Sequence, residues 1–264
     1  MKDAMRRSRQ QVRIWMLCMA VPGCGAALED PGVAEEAQAR QTAAALARVV
    51  DSGVGVGEGL VALAKAGQKL PYLDLATQEL VELEIVGLDA HQASFIGSRL
   101  TETSFDVAFL PLGRFDGASM EDVSFRRADL GGALLIDTKL QATSFRWCNL
   151  DYARFDDAQG SDVSFVGGSA RHAYCFRMDF AQASFIGCDL EAADFRGSVL
   201  LNSRFLFCNL KQTSFAGAHL QGADLSSSTG MVAAPEDAAC WSADTRWPEG
   251  VQPRAPMKGC ESHP

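Results

Sequence analysis

Histidine and tyrosine are scarce in this chain: its 264 residues include 4 His and 3 Tyr. The histidines stand far apart, at positions 91, 172, 219 and 263, and none of the patterns HExxH, CxxC, GxSxG or Gly-x-x-x-x-Gly-Lys occurs. Zinc hydrolases, thiol oxidoreductases, α/β-hydrolases and P-loop enzymes therefore find no motif here. Positive charge is short as well. With 24 Lys and Arg against 33 Asp and Glu, the formal net charge is −9. Neutralising phosphates takes a basic surface, so no nucleic acid is expected as a direct partner. Long apolar runs are missing too. The run Ile14 to Gly23 is ten residues long, about half of what a membrane-spanning helix needs.

The chain has instead a period of five. Between Phe95 and Leu225, 27 positions have a number divisible by five, and 24 of them hold Phe, Leu or Met. The exceptions are Gly160, Ala170 and Cys175. Two residues before each stands a short side chain, such as Ala93, Ser98, Thr103, Ala118, Thr143 or Cys188, with Met178 the one long residue. The intervening position is often polar, as at Ser94, Asp129, Asn149, Asp189 and Asp224. A spacing of five suits neither an amphipathic helix nor a half-buried strand. It suits a coil of four short sides, in which residues 20 apart stack in a column. Phe105, Phe125, Phe145, Phe165, Phe185 and Phe205 form one unbroken column. Leu110, Leu130, Leu150, Leu190 and Leu210 form another, interrupted by Ala170. Phe95, Phe115, Phe155, Phe195 and Phe215 make a third, and Leu100, Met120, Leu140, Phe180, Leu200 and Leu220 the fourth. Such sorting by face marks a repeat architecture.

Blocks such as "ADLGG", "CNLDY", "CDLEA", "ADFRG" and "ADLSS" resemble the pentapeptide repeat proteins. That resemblance implies an all-β solenoid, a right-handed quadrilateral β-helix, of about eight coils over residues 70–227. At ~4.8 Å per coil the rod would be roughly 38 Å long. The stretch "GGSARHAYCFRMDF" departs from the pattern, and a distorted coil is expected there, with Tyr174 and Phe176 partly refilling the space. Solenoid ends need caps. Residues 34–69 read as a helical N-terminal cap, "AEEAQARQTAAALARVV" and "EGLVALAKAGQK" being its helices. Residues 228–264 read as an irregular C-terminal tail, with Trp241 and Trp247 available to cover the last coil; "TRWPEG" is similar to a tail found in some members of the family.

The first 23 residues read as a signal peptide. Lys2, Arg6, Arg7, Arg9 and Arg13 precede the apolar run, which has the length of a secretory signal core. Val21-Pro22-Gly23-Cys24 resembles a bacterial lipobox, with Pro22 unusual at its position. Processing there would leave Cys24 as the lipid-bearing first residue, followed by a linker over 24–33. Plain cleavage near Ala26, or a basic cytoplasmic leader, are the alternatives.

The remaining cysteines divide by place. Cys148, Cys188 and Cys208 share one inward column, where a thiol acts as a small buried hydrophobe. Cys175 fills a core position. Cys240 and Cys260 flank the tail and could pair in an oxidising compartment, which for a ~20-residue loop contributes ~3 kcal/mol. His219 falls on an outward position and should be solvated. No catalytic residue, cofactor or metal site emerges, and the chain reads as non-catalytic.

Two functions fit. One is an exported lipoprotein in the bacterial cell envelope, held to the membrane through a lipid at Cys24. Its solenoid would be a rigid scaffold or recognition surface for an unidentified protein partner. The other, implied by the resemblance, is a cytoplasmic DNA-mimic inhibitor or protector of a type II topoisomerase. Members with that role are acidic rods that dimerise through their C-terminal ends. It calls for acidic side chains gathered on one face, whereas in sequence Asp116, Asp137, Asp156, Asp157, Asp162 and Glu191 are interspersed with Arg126, Arg127, Arg146, Arg154, Arg171 and Arg196.

Overall fold

A computed structural model of the chain describes residues 31–51, 54–231 and 239–251. Two helices come first, α1 (Pro31–Asp51) and α2 (Val56–Lys65). The first begins at Pro31, three residues before the span expected for the cap. Proline is favoured in a helix's first turn, where its missing N–H costs nothing. From Lys69 onward the chain is a parallel β-solenoid. Lys69, Asp89, Phe109, Asp129, Asn149, Ser169, Asp189, Asn209 and Thr229 are bridged in succession, which makes eight steps of 20 residues.

Five residues make one side because three run extended and the rest turn the corner. The second residue after each core position adopts a left-handed conformation, as at Tyr72, Gln92, Asp122, Trp147 and Phe207. Such a conformation costs an ordinary L-residue ~1–2 kcal/mol. The loss is offset because most corner N–H groups reach a carbonyl in the next coil, Gln92 donating to Pro111 O at 2.9 Å and Arg127 to Arg146 O at 2.8 Å, while Phe207 N donates to Ser227 Oγ at 3.1 Å. Between corners, core residues donate up the stack (Phe95 to Arg114 O, 2.7 Å), while many of the small inward residues close the turn within the coil by donating to the core carbonyl three residues back, as Ser98 to Phe95 O at 3.1 Å.

Two of the four sides are regular enough to form sheets. Strands β1 (Glu79–Val81), β2 (Arg99–Thr101), β3 (Ser119–Glu121), β5 (Lys139–Gln141) and β7 (Gln159–Ser161) stack in that order on one side. On the next side β4 (Ser124–Arg126), β6 (Ser144–Arg146), β8 (Ser164–Val166), β9 (Ser184–Ile186) and β10 (Arg204–Leu206) do the same. All pairs are parallel and in register, with Phe125 on Phe145 and Phe145 on Phe165. We name the four sides after a core residue of each. In chain order they are the Leu100, Phe105, Leu110 and Phe115 faces.

Inside, the Phe105 column is a continuous ring stack. Successive centroids from Phe105 to Phe205 lie 5.3, 5.1, 4.9, 4.7 and 4.6 Å apart, with planes within 10° of parallel. Rings of the Phe115 column meet it edge-on, Phe155 on Phe145 at 5.8 Å and Phe195 on Phe205 at 5.7 Å. Both geometries suit the aromatic quadrupole. The small inward position is small because it lies beside the corner, and its polar atoms are bound back to the wall. Thr103 Oγ1 reaches Leu80 O at 3.2 Å, Cys148 Sγ reaches Phe125 O at 3.0 Å and Ser228 Oγ reaches Phe205 O at 2.7 Å. A hydroxyl and a thiol do the same work there.

The ends are covered. Leu60 of α2 is fully buried beside Leu46 and Leu70, and Thr42 Oγ1 in α1 donates to Pro71 O at 2.7 Å. At the far end the tail is more ordered than an irregular segment. Cys240 bridges His219 and Arg246 bridges Asp224, extending the ladder past the last full coil. Trp241 and Trp247 pack edge-on over it at 6.1 Å.

Candidate interaction surface

The outward residues of each five-residue side stand in vertical files one coil apart, so each face is a flat array whose content can be read by column. The Leu110 and Phe115 faces carry most of the ion pairs, though Asp74, Asp129, Asp137 and Asp151 on them have none among the described residues. Arg114 pairs with Asp116 at 3.1 Å, Arg154 with Asp156 at 2.7 Å and Arg196 with Asp194 at 2.6 Å, all on the Phe115 face. Arg177 spans one coil to Asp157 at 2.6 Å, and its hydrogen bonds hold that carboxyl below the usual range. On the Leu110 face Lys69 meets Asp89 at 3.5 Å, while Arg171 and Lys211 both meet Glu191, at 3.2 and 2.8 Å. The hydrogen bond from Lys211 is the chief cause of the lowered Glu191 pKa.

The other two faces carry few. The Leu100 face exposes Glu79, Glu82, Glu102, Glu121, Asp122, Asp162 and Asp179 against Arg99 and Lys139. None of those seven carboxylates is ion-paired among the described residues. The Phe105 face exposes Arg126, Arg127, Arg146 and Arg204, without ion pairs among the described residues, against Glu84 and the half-buried Asp106 and Asp224, the last paired with Arg246 at 3.6 Å. Arg126 and Arg146 lie 5.3 and 5.4 Å from the Trp147 ring, a cation–π sandwich. Further along come Val166, Ile186 and Leu206, half-buried, and Phe207, 72% exposed. Acids occur on all four faces, and what sets the Leu100 face apart is that its seven exposed carboxylates lack ion pairs; sorting outward residues by column was the signal that could have found this.

The coil around Ala170 differs from its expected repair. Tyr174 and Phe176 do not fill the space: they occupy the outward positions beside Cys175 and are 46% and 38% exposed. Met178, buried in the inward position, points into the core instead. A cavity of about 20 Å³ remains, lined by Ala170, Cys175, Met178 and rings of the two Phe columns. His219 is also not solvated, being half-buried where the tail strand of Cys240 runs beside it.

Cys148, Cys175, Cys188 and Cys208 are free and buried. Burial pushes the Cys148 thiol up to about 11, and a hydrogen bond to Cys208 together with burial raises Cys188. Cys240 is disulfide-bonded. Cys24 and Cys260 lie outside the described residues, as does the whole signal-like segment. Among the described residues no group of three or more His, Cys, Asp and Glu could hold a metal ion, and no helix is long and apolar enough to cross a membrane.

A stack of five-residue sides around a Phe and Leu core defines a quadrilateral β-solenoid. The family model described as pentapeptide repeats matches residues 173–206 and 202–229, in eight copies. The same block and the same corner geometry run back from there to Lys69, so the repeat extends beyond the matched residues. Among solved structures it is similar to QnrB1, a plasmid-mediated fluoroquinolone resistance protein, at 12% identity and a TM-score of 0.44, over 66% of this chain and 91% of that one. It is also similar to HetL of the cyanobacterium Nostoc sp., involved in heterocyst differentiation regulation, at 22% identity and a TM-score of 0.31, over 74% and 91% of the two chains. A pentapeptide repeat protein of the Arabidopsis thaliana thylakoid lumen matches at 17% identity and a TM-score of 0.31, over 45% and 69%. No curated protein matches the sequence.

Proposed function

We propose that this chain is a non-catalytic, exported lipoprotein whose rigid solenoid serves as a protein-recognition scaffold in the bacterial envelope. The observation that carries the export half is the disulfide-bonded state of Cys240, because structural disulfides persist in oxidising compartments and are rare in the cytosol. The lipobox-like Val21-Pro22-Gly23-Cys24 supports it from the sequence. Recognition is supported by the exposed Tyr152 of the Leu110 face and Tyr174 and Phe176 of the Phe115 face, the latter two with Arg154 and Arg177 over their rings, since aromatic and Arg side chains dominate binding hot spots. Cys260 is the partner we assign to Cys240.

The experiment is differential thiol labelling in the native host. Free thiols are blocked under denaturing, non-reducing conditions, the protein is reduced, and newly released thiols are tagged. An exported chain carries the tag at Cys240 and Cys260 alone. Finding both blocked in the first step would place the chain in a reducing compartment and end this reading.

The unpaired carboxylates of the Leu100 face favour the second reading, a cytoplasmic DNA-mimic acting on a type II topoisomerase. It would take over in that event, with a gyrase supercoiling assay as its test.

A further inference from the structure

The two faces with most unsatisfied charge are neighbours in the coil and opposite in sign. We propose that four copies of this chain associate side by side as a closed ring, each pressing its Phe105 face against the Leu100 face of the next. The occupant of each face is a second copy, and the argument is charge complementarity combined with the coil's four-sided shape.

Consider first which contacts the charges permit. Pairing the Phe105 face with itself brings Arg126, Arg127 and Arg146 against their own copies. Pairing the Leu100 face with itself opposes Glu121, Asp122 and their fellow carboxylates. With the axes parallel, both self-complementary dimers are repulsive, because like charges across a contact cost energy that only screening removes. Contact between unlike faces is attractive and heterologous, and such a contact closes or runs on according to the rotation it imposes. Here the two faces meet at one corner of a four-sided coil. Joining them turns each copy by a right angle relative to the last, with the axes parallel, so the fourth copy meets the first. The Leu110 and Phe115 faces, which hold most of the chain's ion pairs, are left facing solvent.

The faces also match at equal height, which a ring without axial slip requires. On the coil of Phe125, Arg126 and Arg127 face the Glu121 and Asp122 of the neighbour. One coil earlier Asp106 faces Arg99. On the coil of Phe205, Leu206 and Phe207 face Val199 and Leu201, apolar against apolar. Arg146 shares its level with Lys139 and takes Asp162, one coil or ~4.8 Å further on. Like charges meet on three coils: Glu84 against Glu79 and Glu82 on the first, Asp106 beside Glu102 on the second, and Arg146 at the level of Lys139. A face of roughly 38 Å by 15 Å buries on the order of 1,100 Å² per contact, at the low edge of specific interfaces. The ring is therefore held largely by charge and is sensitive to salt. Parallel axes also place all four N-termini at one end, as anchoring in one membrane would need.

The test uses the full chain with Cys24→Ala, so that no lipid contributes, and sedimentation velocity with native mass spectrometry. At ~10 mM salt the species should have about four times the 28.3 kDa chain mass, and at ~1 M, where the Debye length falls from ~30 to ~3 Å, it should dissociate to monomers. Arg126→Glu with Arg127→Glu should give a monomer at low salt, and so should Glu121→Arg with Asp122→Arg. These are exposed positions, and Arg127 already occupies the corner conformation that Asp122 adopts, so both proteins should keep the parent's circular dichroism and melting point. Mixed one to one, the two reversed proteins regain complementary faces and should restore the tetramer. A monomer or dimer from the parent chain at low salt, a tetramer indifferent to either reversal, or a mixture that stays monomeric would each overturn the proposal.

Discussion

Met178 stands in for volume that Ala170 and Cys175 do not supply, and this can be measured as a coupling. The coil between those of Leu150 and Leu190 keeps its register, with Ala170 N donating to Asp189 O at 2.8 Å, so the frame around Ala170 is that of a leucine site. Yet the open space is about 20 Å³, because Met178 has been drawn into it. At ~24 cal/mol per Å³, filling that void recovers ~0.5 kcal/mol. Overpacking against Met178 costs ~1–3 kcal/mol, so Ala170→Leu alone should destabilise by ~1 kcal/mol. Met178→Ala alone should cost ~2–5 kcal/mol, as for other buried methionines. In the double variant the three added carbons of leucine find the vacated room and return ~2.4 kcal/mol at ~0.8 per methylene. The double variant should therefore be more stable than Met178→Ala, with a coupling of ~3 kcal/mol. Urea and thermal melts followed by circular dichroism read this directly, at ~2–4 °C per kcal/mol for a domain of this size. If the two changes add within ~0.5 kcal/mol, Met178 is not filling the space left at Ala170, and the reasoning fails.

Other consequences follow from single positions. Gly168→Ala would put a Cβ 2.2 Å from Cys148 O, whereas Gly187→Ala at a similar corner meets nothing within 4 Å; the first should lose several times the ~1–2 kcal/mol of the second in melts. Cys148, Cys175 and Cys188, buried and with raised thiols, should resist alkylation in the native protein up to alkaline pH, whereas Cys208, lowered by its hydrogen bond to Cys188, is shielded by burial alone; all four should react on unfolding, as counted by mass spectrometry, and alkylation of any of the first three without unfolding would contradict the burial argument. The Asp157 carboxyl, lowered by Arg177, should titrate at lower pH than an ordinary aspartate when followed by carboxyl ¹³C NMR. A depressed folded-state pKa means that its small stabilisation is present above the unfolded value and lost as pH falls through the folded one; Arg177→Ala should move the titration back up.

The core was legible because the five-residue period is a local rule that every coil obeys. Phe105 through Phe205 could be stacked on paper, since in-register parallel pairing leaves each column no freedom. The tail was harder for a physical reason. Its ladder steps from His219 to Cys240 and from Asp224 to Arg246 are 21 and 22 residues instead of 20, so the period slips by one and then two and hides the continuation. The place of Met178 was visible as an anomaly but its direction was not, since an oversized inward side chain must find room that depends on three other positions. Tyr174 and Phe176 misled because size suggested filling, whereas position in the five-residue block decides inward from outward. The candidate surface lay in between. Its residues are all plain in the sequence, but telling the faces rich in ion pairs from those poor in them needed side-chain distances, such as the one-coil reach of Arg177 to Asp157.

The measurement that bears most directly on the proposed function is metabolic labelling with palmitate in a bacterial host, with cell fractionation, on the full chain and on Cys24→Ala. The account predicts label in the membrane fraction that disappears with the substitution. An unlabelled chain in the soluble cytoplasmic fraction, with the leader still attached, would contradict it.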